Sequence, residues 1–151
     1  MIRRMLRVAF PLEVAVLIGA QFFPPARTNP VSDPESSFEA VARPPAEVAS
    51  LVNRACRDCH SNETVWPWYS KVAPVSWLVA KDVQEGRNHL NFSEWGRLGP
   101  EMARSRLREV CEQVRGNEMP LWYYVPLHPT ARLSQTEVTT LCNQSPGGPA
   151  D

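Results

Sequence analysis

Fifteen prolines in a chain of 151 residues, set beside only seven glycines, limit what this sequence can become. A proline inside a helix removes a backbone donor and clashes with the preceding turn, and inside a sheet it interrupts the ladder. Much of the chain is therefore loop or linker, and helices must be joined by long ordered connections. The length leaves room for one compact domain with a short appendage, and nothing resembles an internal repeat. No segment sustains strand alternation, which predicts an all-α domain of about four helices.

Those helices are placed by apolar spacing. Val48, Leu51, Val52 and Ala55 fall at i, i+3, i+4 and i+7, so residues 46–55 form a short amphipathic helix that runs straight into Cys56. Pro74 can open a second helix with Val75, Leu78, Val79 and Val83 on one face and Gly86 as its stop. A third begins at Pro100, presents Ala103, Leu107, Val110, Cys111 and Val114 to the core, and ends at Gly116. In the last, Ser134 and Glu137 have capping-box spacing and are flanked by Leu133 and Val138 as a hydrophobic staple. Its inward residues are Val138, Leu141 and Cys142.

Ahead of this domain the pattern changes. Arg3, Arg4 and Arg7 precede a mostly apolar run from Val8 to Phe23, which ends at Pro24-Pro25. That order predicts an N-terminal membrane segment over 1–23, a signal anchor or else a signal peptide, with the rest of the chain exported. Glu13 inside the run and the absence of a small-x-small cleavage site favour a marginal but uncleaved anchor. Residues 24–45, rich in Pro, Ser, Asp, Glu and Ala, read as an extended tether, and residues 143–151 as a polar tail. The expected location is the periplasmic or outer face of the cytoplasmic membrane. Acidic and basic side chains balance at 16 each, which speaks against nucleic acid as a partner.

The chemistry sits at Cys56-Arg57-Asp58-Cys59-His60, a C-x-x-C-H sequence with the spacing of covalent haem attachment. Cysteines three apart share one face of a helical turn, so both thiols can reach the vinyl groups along one haem edge while His60 swings under the iron. The same cysteine pair also serves structural zinc and thiol redox centres. Zinc wants four ligands, normally as two close pairs, and the remaining Cys111 and Cys142 stand alone on different helices. A thioredoxin-like dithiol follows a strand, and no strand precedes Cys56.

Beyond the motif, three stretches carry a more specific likeness: Cys59-His-Ser-Asn-Glu-Thr-Val-Trp-Pro-Trp-Tyr-Ser with Val72-Ala-Pro-Val-Ser-Trp77, Asn91-Phe-Ser-Glu-Trp95, and Gly116-Asn-Glu-Met-Pro120 with Leu127-His-Pro-Thr-Ala-Arg-Leu-Ser134. They resemble the small bacterial haem-binding domain family with a C-x-x-C-H motif, cytochrome c-like proteins, from about Pro24 to Cys142. The resemblance implies a monohaem, single-domain protein (here 46–142) outside the cytoplasm, commonly tethered by its N-terminus. It implies nothing about its redox partners.

For the second axial iron ligand the candidate is Met119, in a Gly-x-x-Met-Pro loop after the third helix and before the last, an arrangement that resembles the methionine loop of small cytochromes c. His128 is the alternative, while Met102 and His89 lack a supporting context. Trp66, Trp68 and Tyr69 follow His60 closely enough to be candidate pocket walls, within a larger aromatic set of Trp77, Trp122, Tyr123 and Tyr124. Cys111 and Cys142, both on inward helix faces of an exported chain, read as a disulfide, with two buried free thiols as the alternative. The expected function is that of a c-type monohaem cytochrome carrying single electrons between protein partners. The alternatives are a haem sensor or peroxidase-like enzyme with an open axial position, and a zinc-binding structural module.

Overall fold

The computed structural model describes the backbone of residues 2–143 and the side chains of residues 9–143, and all regular structure among them is helical. Helix α1 (Ile2–Ala20) leads into an extended passage, a 3-10 turn at Pro34–Ser36 and the short α2 (Phe38–Ala42). Helix α3 (Ala46–Ala55) gives way at Cys56 to a single turn, α4 (Arg57–His60). A 3-10 turn at Trp68–Lys71 precedes α5 (Val75–His89), and another 3-10 segment, Phe92–Arg97, precedes α6 (Pro100–Arg115). The turn Pro129–Ala131 then delivers α7 (Gln135–Asn143).

The core lies where α3, α6 and α7 meet. Val48, Leu51 and Val52 of α3 pack with Cys111 and Val114 of α6 and with Val138, Leu141 and Cys142 of α7. Phe38, Leu90, Phe92 and Trp95 close this cluster from the loops and short helices. The Phe38 ring stands edge-on to Phe92 at 5.4 Å and to Trp95 at 4.8 Å, while Phe92 and Trp95 stack at 5.8 Å. Pairs of this kind add about 0.5–1.5 kcal/mol each beyond the area they bury. The start of α7 is a capping box: the Ser134 hydroxyl accepts from the Glu137 amide at 3.3 Å, and the Glu137 carboxylate accepts from the Ser134 amide at 2.8 Å. Arg54 of α3 donates to the Glu137 carboxylate and to the carbonyls of Thr130 and Arg132, tying α3 to this cap.

The expectation of an N-terminal membrane segment, and with it the anchored location, is corrected by the structure: among the described residues no helix is long and apolar enough to cross a membrane. Helix α1 spans 19 residues but includes Arg3, Arg4, Arg7 and Glu13, with Pro11 inside it. Its apolar part, from Val8 to Ala20, makes roughly 20 Å of helix at 1.5 Å per residue, against a hydrocarbon core of about 30 Å. The end of α1 is also tied to the domain. The Gln21 side chain donates to the Ala73 carbonyl at 3.1 Å and accepts from the Ala73 amide at 3.0 Å, and the Trp77 indole donates to the Phe23 carbonyl at 2.9 Å.

Two further expectations meet a different outcome. The passage 24–45 is no free tether, since Arg27 donates to the Ser70 carbonyl at 3.0 Å, Asn29 to the Thr64 carbonyl at 2.9 Å, and Phe38 is a core residue. Its attachments are mostly side chain to backbone, which leave no hydrophobic period to read. Helix α5 does not stop at Gly86 but continues to His89, because that glycine serves a close approach described below. Of the tail, only Asn143 falls within the described residues.

Cys111 and Cys142 are joined as a disulfide, with Cα atoms 5.2 Å apart and a sequence separation of 31 residues. It pins α7 to α6 and closes a loop that contains Met119. By the loop-entropy relation the bond should stabilise the fold by about 3–4 kcal/mol. Urea unfolding of the Cys111→Ala plus Cys142→Ala variant should show a loss of that order, with the helical content kept below the transition.

Candidate functional site

The C-x-x-C-H sequence forms its own turn. Cys56 leaves helical geometry (φ −123°, ψ −35°), and the chain re-enters a helix for one turn in which the His60 amide donates to the Cys56 carbonyl at 2.9 Å. Burial pushes both thiols up to about 12, aided for Cys56 by the neighbouring Cys59 and for Cys59 by the carboxylates of Asp82 and Asp58. Both sulfurs are therefore held as thiols near neutral pH.

His60 is fixed from one side of its ring. Nδ1 donates to the Leu90 carbonyl at 3.0 Å, since a carbonyl can only accept, the Gly86 carbonyl also lies within hydrogen-bond reach of the ring, and among the described residues no donor meets the Nε2 lone pair. Burial lowers the imidazole's pKa, which keeps that lone pair free of a proton at neutral pH. Phe92 stands edge-on to the ring at 6.5 Å. A histidine with one nitrogen held by a backbone carbonyl and the other available is the arrangement metal sites use to orient a ligand.

His60 and Cys56 line a cleft with two adjoining lobes. The first, of about 340 Å³, is walled by Leu90, Phe92, Val110, Val114, Met119 and Leu133. The second, of about 460 Å³, adds Cys59, Leu78, Leu121, Tyr123 and Tyr124, with Lys81, Asp82 and Glu85 at its edge. A smaller cavity of about 190 Å³ continues past Cys59 between Val75, Leu78, Val79 and Leu127. The apolar stripe of α5 faces this space rather than the core, so Val75 and Leu78 stay 41% and 44% exposed. Such a stripe fits a large apolar ligand better than it fits water.

Met119 reaches the cleft through the way α6 ends. The Glu118 amide donates to the Gln113 carbonyl at 2.9 Å and the Asn117 amide to the Val114 carbonyl at 3.3 Å, the paired bonds of a Schellman motif. The left-handed residue that this motif needs is Asn117 (φ 57°), while Gly116 remains in right-handed geometry. The chain is thereby turned back over the core, and Met119 lines both lobes that His60 lines.

The other sequence candidates fall elsewhere. His128 lines neither lobe: its Nε2 shares a 2.6 Å hydrogen bond with the Tyr69 hydroxyl, and its ring stacks on Tyr124 at 4.0 Å. Tyr69 lines the small cavity beside Cys59, whereas Trp66 turns away to donate to Asn29 at 3.1 Å and Trp68 is 74% exposed. Met102 is exposed on α6. His89 lies at the cleft, where its Nε2 donates to Glu109 at 2.5 Å, and Arg106 donates to the same carboxylate at 2.7 Å. No sequence signal singled out this polar corner, because its three members come from two helices.

Asp58 and Gly86 have roles at the site that the sequence did not signal. The Asp58 carboxylate accepts from the Tyr124 hydroxyl at 2.8 Å and from the Val65 amide at 3.2 Å, which fixes one wall of the cleft to the motif itself. Gly86 lets α5 lie against the motif's backbone, where a Cβ would sit 2.7 Å from the Cys59 carbonyl oxygen. Among the described residues no three of His, Cys, Asp and Glu gather to hold a metal ion, so the zinc alternative finds no ligand set. The donors present, two neighbouring thiols, one imidazole and one thioether around an apolar cleft, fit a haem.

The described residues define an all-helical protein built around an apolar cleft with thiol, imidazole and thioether donors. A family model described as a haem-binding domain matches residues 15–145, and the chain belongs to that family, with haem as its cofactor. The match takes in the passage before α3, in keeping with the contacts that bind it to the domain. Neither a curated protein nor a solved structure matches the chain.

The close approach at Gly86 is directly testable. Gly86→Ala should destabilise the protein by about 1–3 kcal/mol through overpacking against backbone that cannot swing aside, more than offsetting alanine's better helix propensity. A urea midpoint equal to that of the unmodified protein would show that α5 and the motif turn have slack to separate.

Proposed function

We propose that this protein binds one haem covalently through Cys56 and Cys59, ligates its iron with His60 and Met119, and serves as a one-electron carrier between protein partners. The observation that carries the proposal is His60: its Nδ1 is spent on Leu90 and no donor among the described residues meets its Nε2 lone pair, in a cleft that the two thiols and Met119 also line. When bound, the group would supply an iron able to hold either the ferrous or the ferric state.

Each protein group has a definite part. Cys56 and Cys59 would hold the group through thioether bonds, a thiol addition to its vinyl groups that needs no oxidant or reductant. The Leu90 carbonyl holds the His60 tautomer and raises the basicity of Nε2. Met119 offers a soft thioether that favours the reduced metal, and its place after the Schellman turn limits its freedom to leave. Leu90, Phe92, Val110, Val114 and Leu133 exclude water on one side, which disfavours the extra charge of the oxidised state. With His60 and Met119 both engaged, substrate would have no access to the metal, which would suit electron transfer over turnover.

Two measurements test this. Haem should stay with the polypeptide through denaturing electrophoresis, and Cys56→Ala plus Cys59→Ala should abolish that; retention in the double variant would sink covalent attachment. Met119→Ala should lower the reduction potential and let ferrous protein bind carbon monoxide, while His128→Ala does neither. If the unaltered protein binds carbon monoxide readily and Met119→Ala changes nothing, the sensor or peroxidase-like reading takes over. If only His128→Ala opens the site, the ligands are two histidines.

A further inference from the structure

The loop that follows His60 is held by a side chain the proposed function leaves unused. Arg87 of α5 spends its guanidinium on four acceptors: Nε donates to the Ser61 carbonyl at 2.7 Å, Nη1 to the Thr28 carbonyl at 2.9 Å, and Nη2 to Asn29 Oδ1 and Thr64 Oγ1, each at 2.8 Å. The Trp66 ring lies under it at 6.0 Å, and the Trp66 indole donates to the same Asn29 oxygen at 3.1 Å. Asn29 completes its amide by donating to the Thr64 carbonyl at 2.9 Å. Three separate parts of the chain meet here: the passage before α2, the loop 61–66, and α5.

We infer that Arg87 is a positioning residue for His60, with Thr28 and Asn29 as its backing, so that the N-terminal passage helps to set the aim of the iron ligand. This rests on the reading of His60 as that ligand. The reason is where the bonds fall. The His60 ring is tied at Nδ1, so the direction of Nε2 depends on the backbone that carries it. Consecutive residues of α5 confine that backbone on both sides: Gly86 leaves no room for even a Cβ beside the Cys59 carbonyl before His60, and Arg87 holds the Ser61 carbonyl after it. Ser61, Asn62 and Thr64 are buried, and the Asn62 amide is further fixed by the Ser93 hydroxyl at 3.0 Å, so a shift at Ser61 has no slack loop to absorb it. A lysine keeps the charge but offers one nitrogen in place of a planar fork and cannot meet four divergent acceptors.

The test is Arg87→Lys in the full-length, haem-loaded protein, read by paramagnetic NMR and amide exchange. The unaltered protein should give one sharp set of hyperfine-shifted His60 ring resonances, and Arg87→Lys a broadened or doubled set with its covalent haem retained. Amide exchange over Ser61–Thr64 should quicken roughly ten-fold, the scale of losing one charge-assisted hydrogen bond. Asn29→Ala, which removes only the backing, should act in the same direction more weakly, and the two changes together should fall short of their sum. A lowered unfolding midpoint with unchanged His60 resonances and unchanged exchange over Ser61–Thr64 would reduce Arg87 to a brace and overturn the inference. Should Arg87→Lys fail to fold, Asn29→Ala decides by the same two readouts. Absence of covalent haem from the unaltered protein would instead defeat the proposed function, and the exchange measurement alone would then judge the clamp.

Discussion

The contact on which the rest of this structure depends is the approach of α5 to the single turn formed by the C-x-x-C-H sequence. One missing side chain, at Gly86, permits it, since any Cβ there would press on the Cys59 carbonyl. Once α5 lies in place, its end brings Leu90 to the Nδ1 of His60 and its outer face brings Arg87 to the loop beyond. Its apolar stripe is left facing the cleft that the two thiols line. A chain with the same motif and a bulky residue at that position would keep these side chains and lose their arrangement.

The opposite wall is built by a different device. Helix α6 ends in a turn that needs a left-handed residue, and Asn117 supplies it, which folds the following loop back and delivers Met119 to the side that His60 faces. The disulfide then pins α6 to α7 and keeps that loop short in reach. The two walls thus rest on independent supports, one a steric allowance and the other a helix cap with a crosslink. Because the supports do not share residues, disturbing one should leave the other standing.

The segment ahead of α3 takes on a role that composition hides. It is proline-rich and without hydrophobic period, yet it places Phe38 in the core and offers Thr28 and Asn29 to Arg87. Polar side chains that bond to backbone, and backbone that accepts from distant side chains, leave no periodic trace. The N-terminal run shows the reverse. Its apolar residues suggested a membrane span, but four charged residues within α1 leave too short an apolar length, and Gln21 ties its end to Ala73.

Local order was written plainly in the sequence. The inward faces of α3, α6 and α7 follow from residues spaced three and four apart, and the capping box at Ser134 and Glu137 from their spacing alone, because a helix repeats its environment every turn. The C-x-x-C-H turn was equally plain, since its chemistry needs residues adjacent in the chain. The second wall of the cleft was legible only as far as Met119 in its loop. Tertiary structure decided what depends on partners far apart in the chain: that Gly86 is a contact point and not a helix end, that His128 belongs to Tyr69 and Tyr124, that Trp66 backs Arg87, and that Asp58 holds Tyr124. A periodic pattern records which face of a helix is buried, but a glycine, an arginine or a histidine declares its use only when the acceptor or the backbone it meets has been brought beside it.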